Sequence, residues 1–453
     1  MINLYARLWE NDADSWRPGI TSTVILILYS LILPVIMGLG INDSKYGILA
    51  VVLVGVSLIL ILFFNVKTYV IYLLPLMFSY NNYYLIIVIM AVLMFSFFAY
   101  LIRQNKIEIE APTPILLLFM ILSIGIGFSR SIHMAEAKFF LIFTLILPLI
   151  AFILFYNLRL SASEIRSFLF PVCVIGASIG YISLALWIAT GIPRIVFTWP
   201  ATSQNQGAGF LGLLLPYSLI ALLDARGKLA RSIWFLIFMG VMCGIFTSQT
   251  RALLLTVFLA MAYISITDKR AMKVILPVML VAIVTLPALL LSRFAILFGQ
   301  ADEVDWSSVG RIEIWLNSIA YIKEHYLLGM GLDNYRYYYA LDHPKSVVAA
   351  VHPHNIAFKW ILDFGLIGFL TYSYFFTRII LRGILSINKR MARLFPQEYR
   401  LLLALNAAMI MLMTEGIIGS YLNDFRSAIL VYIYLAFISV FVNQFQNYKV
   451  PVN

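Results

Sequence analysis

Apolar stretches long enough to cross a bilayer recur along almost the whole chain. We read about fourteen, centred near residues 31, 56, 74, 93, 121, 147, 179, 216, 239, 259, 282, 370, 410 and 437. A transmembrane helix needs about 20 consecutive, mostly apolar residues, and helices that bundle in lipid satisfy their backbone polar groups internally. Apolar residues make up 62% of the 453 and charged residues only 12%, against about half and a quarter in soluble domains. The expected fold is an all-α polytopic membrane protein of about 12–14 transmembrane helices. The run before Asn81-Asn82 is the weakest and reads as a half-helix; losing one pair of spans leaves the orientation unchanged. The first twenty residues carry Glu10, Asp12 and Asp14 without a cleavable signal pattern, so the first span is expected to double as the insertion signal.

Charge fixes the orientation. With both termini in the cytoplasm, twenty of the 32 Lys and Arg residues fall on inner loops and helix ends, and twelve face outward. That bias follows the positive-inside rule. The outward cations include Arg194, Arg251, Arg311, Lys359 and Arg426. Cys173 and Cys243 both lie in apolar runs and read as small buried hydrophobes, not as a disulfide or metal pair. There is no GxxxxGK[ST] loop, so nucleotide-driven work is not expected.

One outer connection is unlike the rest. About sixty residues separate Ser292 from Pro353 and cannot be a single span. The chain is accordingly divided into an N-terminal bundle (1–291), an outer lid loop (292–355) and C-terminal helices (356–453). Within the loop, Ser307-Ser308 offers an N-cap, and Ile312, Trp315, Leu316, Ile319, Ile322 and Tyr326 recur at helical spacing, with Glu313, Asn317 and Glu324 opposite. The spacing predicts an amphipathic helix on or near the membrane surface, ended by Leu328-Gly329-Met330-Gly331.

Several outer residues carry chemistry. His343, His352 and His354, three of the five histidines, fall within twelve residues ahead of an apolar helix over 356–386. An imidazole there can sit neutral near pH 7 and accept a proton. His354 reads either as such a base or as a cap of the following helix beside Asn355. Pro353 is expected to hold His352 extended and away from the helix mouth. The two histidines lack the acidic cluster or second pair that a zinc site needs.

Arg251 sits at Phe246-Thr247-Ser248-Gln249-Thr250-Arg251-Ala252, where two spans meet with almost no loop. An arginine costs about 2.5–3.5 kcal/mol near mid-span and less at its end, so it reads as facing a polar cavity or as snorkelling to the interface. Arg311 falls in the predicted first turn of the lid helix. A cation there opposes the helix dipole, but free N–H groups and a planar guanidinium together suit a phosphate. Arg194, Gln204, Asn205 and Gln206 open the next span and read as sugar-binding groups or as a solvated loop. Tyr335 to Tyr339 read as sugar-stacking rings or as an interfacial belt. Asp424 and Arg426 lie near the same mouth and read as a further polar contact or as partners of each other.

His354-Asn355, nine residues, then Gly365-x-x-Gly368 resembles the histidine signature of bacterial O-antigen ligases. The order of other parts is similar: Asn205-Gln206-Gly207-Ala208-Gly209, Ser248-Gln249-Thr250-Arg251-Ala252, Gly310-Arg311-x-x-x-Trp315 and Leu328-Gly329-Met330-Gly331. The likeness covers roughly residues 195–385 and the superfamily of O-antigen ligases, O-antigen polymerases and protein O-oligosaccharyltransferases. Gln249-Thr250 departs from it where a serine often precedes the arginine, and Tyr326 where a proline is frequent.

The resemblance implies a metal-independent, inverting glycosyltransferase of the GT-C type in the bacterial inner membrane, with its site on the periplasmic side and no cofactor. Its donor would be a glycan on undecaprenyl pyrophosphate and its acceptor the lipid A core. No nucleic acid or nucleotide is expected as a partner. It implies His354 as general base and Arg251 and Arg311 as pyrophosphate ligands. Arg194, Gln204, Asn205, Gln206, Gln249, Tyr335, His352, Asn355 and Arg426 stand as candidate substrate contacts. A polymerase joining lipid-linked repeats is the close alternative. A lipid-linked glycan transporter is the distant one, since no internal symmetry of the transporter kind is present.

Overall fold

In a computed structural model of the chain, the residues described are 113–191, 204–277, 306–343, 352–417 and 424–448. Lys67, Leu74–Phe78 and residues 86, 89, 90, 93, 94, 97, 110, 419 and 422 complete the set. Among them are a 3-10 turn at Leu74–Phe78, twelve longer helices and no strand. The helices are α1 Pro114–Ser129, α2 Met134–Leu158, α3 Ala162–Thr190, α4 Gln204–Asp224, α5 Lys228–Ser248 and α6 Arg251–Thr267. They continue with α7 Trp306–His325, α8 Tyr335–Asp342, α9 Ile356–Ser386, α10 Lys389–Leu394, α11 Pro396–Gly416 and α12 Phe425–Asn447. Six of them, α2, α3, α5, α9, α12 and Gly207–Asp224 of α4, are long and apolar enough to cross a membrane. The shorter α1 and the Ala252–Thr267 part of α6 are apolar as well. Nine of the expected span centres thus fall on these helices, that near 74 on the 3-10 turn and that near 93 on a residue described as helical; those near residues 31, 56 and 282 lie outside the described residues.

The chain forms two compact units, one of residues 1–111, 150–250 and 395–401, the other of 112–149, 251–394 and 402–453. In the first, α3 and α5 cross at two Gly-x-x-x-Gly sequences, Gly176–Gly180 and Gly240–Gly244. A methyl group on Gly180 would strike the carbonyl of Gly240. Lipid solvates apolar faces as well as another helix does, so close backbone approach and interhelical hydrogen bonds drive such pairs. A buried 2.6 Å Ser183–Thr247 hydroxyl contact supplies one such bond. Ser161 and Glu164 cap α3 reciprocally, and Glu164 also pairs with Lys67 at 3.1 Å.

In the second unit α12 is central: every residue from Phe425 to Val442 is buried. A helix apolar on all sides belongs inside a bundle. Against it pack α9 and the opening turns of α2, which include a π-helical stretch at Leu141–Ile146, and α1 packs in turn on α9.

Two sequence expectations change here. The apolar stretch over 356–386 is not one rod: Gly365 has φ +71° and ψ −174°, which breaks α9 into two helices. Only glycine takes that conformation without strain. The lid helix α7 begins at Trp306, so Ser307 and Ser308 lie inside it and Arg311 belongs to its second turn. An anion cradle built from free N–H groups of the first turn together with Arg311 is therefore not formed.

Candidate active site

The lid and the broken helix are built into each other. A break at Gly365 leaves backbone groups without helical partners, and the loop after α7 supplies them. Met330 N–H donates to Leu362 O at 2.5 Å, and Leu366 N–H donates to Tyr326 O at 2.7 Å. Asp333 N–H reaches the Asp363 carboxylate at 3.3 Å. The same loop is tied to the end of α1: Leu332 N–H donates to Gly127 O at 3.0 Å, Arg130 Nε to Gly329 O at 3.0 Å, and Asn334 Nδ2 to Arg130 O at 3.0 Å. The glycine motifs that stood out in the sequence are this junction. What looked like a lid is a keystone.

Above the junction lies a small apolar core of Ile314, Tyr321, Met330, Tyr335, Tyr339 and Leu362. Trp315 and Ile322 turn towards it, whereas Ile312, Leu316, Ile319 and Tyr326 remain exposed. The stripe read from the sequence therefore splits between two directions. Tyr335 is buried, donates to Ile314 O at 3.1 Å and lies 3.2 Å from Ser318 Oγ. Tyr339 is buried too and donates to Glu313 at 2.9 Å, and Tyr337 stacks on His133 at 3.6 Å. These tyrosines hold the lid together. Burial pushes the Tyr335 phenol up to about 12.

The histidines sit where this assembly meets the start of α9. His354 has φ +50°, in the left-handed region where a non-glycine residue is strained by about 1–3 kcal/mol. Asn355 follows as the helix cap: its Oδ1 accepts from Ala357 N–H at 2.9 Å and Phe358 N–H at 3.1 Å, and its Nδ2 donates to Ile417 O at 2.9 Å. Capping is thus Asn355's task, which leaves the His354 ring for other work. The rings of His352 and His354 are 4.2 Å apart, so Pro353 does not keep His352 away from the helix mouth.

Burial, followed by the charge of Arg311, lowers His354 to about 4. His352 is pushed well below its ordinary value by burial, then by His354 and Lys359. Both imidazoles are therefore neutral at pH 7. Arg311, half-buried, makes no ion pair or hydrogen bond among the described residues.

Other candidates fare differently. Arg426 is buried against Asp424 at 3.1 Å, and Asp424 caps α12 through Ser427 N–H at 3.2 Å, so these two are partners of each other. Gln249 ends α5 with φ +51°. His343 closes α8 with its ring 4.7 Å from Tyr339. Arg194 and the side chains of Gln204, Asn205, Gln206 and Arg251 lie outside the described residues.

Sequence reasoning passed over Lys359 and Asp363 as a pair, which the structure joins at 2.9 Å with both side chains buried. They line a cavity with Trp360, Tyr372 and Tyr432, and Lys359 Nζ sits 4.2 Å from the Phe140 ring centroid. The signal was available, since opposite charges four residues apart inside an apolar helix are rarely idle.

An all-helical, multi-pass membrane protein in which the charge of an arginine acts on a neutral histidine suits transfer chemistry at a bilayer surface. Residues 236–373, a little under a third of the chain, match the family model described as O-antigen ligase, Wzy_C. The match supports glycosyl transfer of the O-antigen ligase or polymerase type, with lipid-linked glycan and lipid acceptor substrates in general. It runs from the second half of α5 through α6, the lid and the break in α9. No curated protein matches the chain.

Proposed function

We propose that this protein is an O-antigen ligase: a metal-independent, inverting glycosyltransferase of the inner membrane. It moves a glycan from undecaprenyl pyrophosphate to a hydroxyl of the lipid A core on the periplasmic face. The observation that carries the reading is the neutral His354 imidazole within the field of Arg311.

Cleaving the bond from sugar to pyrophosphate develops charge on an already anionic leaving group. Arg311, with Arg251 as its expected counterpart, would meet that charge with planar forks. Losing one such donor costs on the order of 10²–10³ in rate. His354 would take the proton of the acceptor hydroxyl, a contribution of about 10²–10⁴. A single displacement without an enzyme nucleophile inverts the anomeric centre, and pyrophosphate leaves as an ion without a general acid. Lys359 lies one turn beyond Asn355 and adds positive charge at the same mouth, offset by Asp363.

The test is reconstitution with a purified lipid-linked glycan, offered lipid A-core or a second lipid-linked repeat. Ligation to the core is expected. Product only on the second lipid-linked repeat would make the protein a polymerase, and no transfer in either arm would remove the reading.

A further inference from the structure

Ile312, Leu316 and Ile319 follow one another at helical spacing on α7, with Tyr326, Leu327 and Leu328 in the turn behind them. All six are 40–64% exposed. At about 100° per residue the first three share one narrow arc. Only Lys323 interrupts it, with a long stem that can lie along apolar surface while its ammonium reaches out. The opposite side of the helix is already covered: Ile314, Ser318 and Tyr321 pack inward. Glu313, Asn317 and Glu324 mark the border between the two sides. Helix α7 therefore has two apolar faces, and one of them has no partner among the described residues.

The surface beside that free face says what covers it. The 2.7 Å bond from Leu366 N–H to Tyr326 O sets the exposed Tyr326–Leu328 turn directly against the second half of α9. There Leu366, Ile367 and Leu370 are exposed on a helix of spanning length. Exposed leucines on a spanning helix face lipid. The Tyr326–Leu328 end of the α7 stripe thus adjoins a lipid-facing surface. A contiguous exposed apolar patch marks an interaction or membrane surface.

We infer that α7 is a monotopic membrane element, with its Ile312–Leu316–Ile319 face immersed in the outer leaflet and its other face bearing the lid. Such helices bury their apolar side about 5–10 Å into the boundary between headgroups and acyl chains. Lys323, in the last turn, then stands at headgroup level, where its stem lies along apolar surface and its ammonium reaches water. Arg311 lies one residue before the immersed face, so its guanidinium is held at the depth where a lipid's phosphate groups lie. The bilayer itself, and not only the protein, sets that height. This inference rests on the chain's being membrane-embedded and not on the proposed reaction, so either can fail alone.

Depth can be measured directly. In a Cys173→Ser, Cys243→Ser background reconstituted in lipid nanodiscs, a nitroxide is placed singly through Ile312→Cys, Leu316→Cys or Ile319→Cys. Asn317→Cys and Glu324→Cys serve as comparators. The three apolar positions should relax more with oxygen than with a water-soluble nickel complex, and the two comparators should show the reverse order. If positions 316 and 319 are as open to the nickel complex as position 324, the face is in water and the inference is wrong. Low access to both relaxants at 316 and 319 would mean that protein, such as a second copy, covers the face, and would overturn it equally.

Discussion

His352 and His354 have rings 4.2 Å apart but are assigned unequal roles in the proposed reaction. His354→Ala should abolish glycan transfer in a purified assay while leaving donor binding intact, because donor affinity is assigned to the arginines. His352→Ala should retain measurable activity. Near wild-type transfer by His354→Ala would remove it as the base. The pH profile gives a second check. With His354 lowered to about 4 by burial and Arg311, its neutral form persists far below the ordinary imidazole range. The acid limb of kcat/KM should therefore lie near 4, and not near the unperturbed value of about 6.5. The limb of kcat, which reports the donor complex, should lie higher, since pyrophosphate offsets Arg311. Coincident limbs at 6.5 would contradict the burial described here. Arg311→Lys keeps the charge but loses the fork, and should reduce the rate on the order of 10²-fold. EDTA should leave the wild type unchanged; a strong effect reversed by Mg²⁺ would count against the arginine assignment. The sequence made His354 and Arg311 visible because their chemistry goes with residue type and spacing. It could not show that the imidazole is dehydrated or that the backbone beneath it is left-handed, since both arise from packing between segments far apart in the chain.

At the level of elements, the break in α9 is the feature to test. An alanine at position 365 must take φ +71°, and its Cβ would collide with the carbonyl of Leu327. Gly365→Ala should lower thermal stability by about 1–3 kcal/mol and, on the proposed reaction, reduce transfer, because the junction ties the turn after α7 to α9. Gly125→Ala is the control: it lies in α1 with nothing within 4 Å of the added methyl, and should be neutral or stabilising by up to about 1 kcal/mol. Equal loss in both variants would mean that the junction has no special standing. The spans were legible because hydropathy integrates over many residues. The direction of α7 was not, because a helix with two apolar faces gives a blurred periodicity: Trp315 and Ile322 belong to one face, Leu316 and Ile319 to the other. The Gly365-x-x-Gly368 pattern was noticed, but nothing in it distinguishes a helix packed closely through its glycines from one that stops and restarts.

For the molecule as a whole, orientation is the expectation most open to direct test. Single cysteines at Glu313 should react with an impermeant reagent added to intact cells, and at Lys228 or Arg390 they should not. Labelling at position 228 but not 313 would invert the topology and remove the proposed site from the periplasm. The division into two units, each assembled from separated stretches of chain, was not legible from sequence. A linear reading cuts a chain where its composition changes, whereas the contacts that define a unit ignore order. The small-residue crossing of α3 and α5 was present as two Gly-x-x-x-Gly sequences but carries meaning only once the helices are known to be neighbours.

The buried state of α12 bears on how the protein is made. Its neighbours α2 and α9 both precede it in the chain, so they are synthesised before the helix they will enclose. In water such an unfinished shell would expose its inner faces and aggregate. In a bilayer, acyl chains solvate those faces almost as well as α12 will, and the membrane can act as a holding solvent until α12 arrives and displaces the lipid. Junction, cap and histidine turn can therefore reach their final geometry only late in biogenesis, after translation has passed Asp424, whose carboxylate caps the arriving helix.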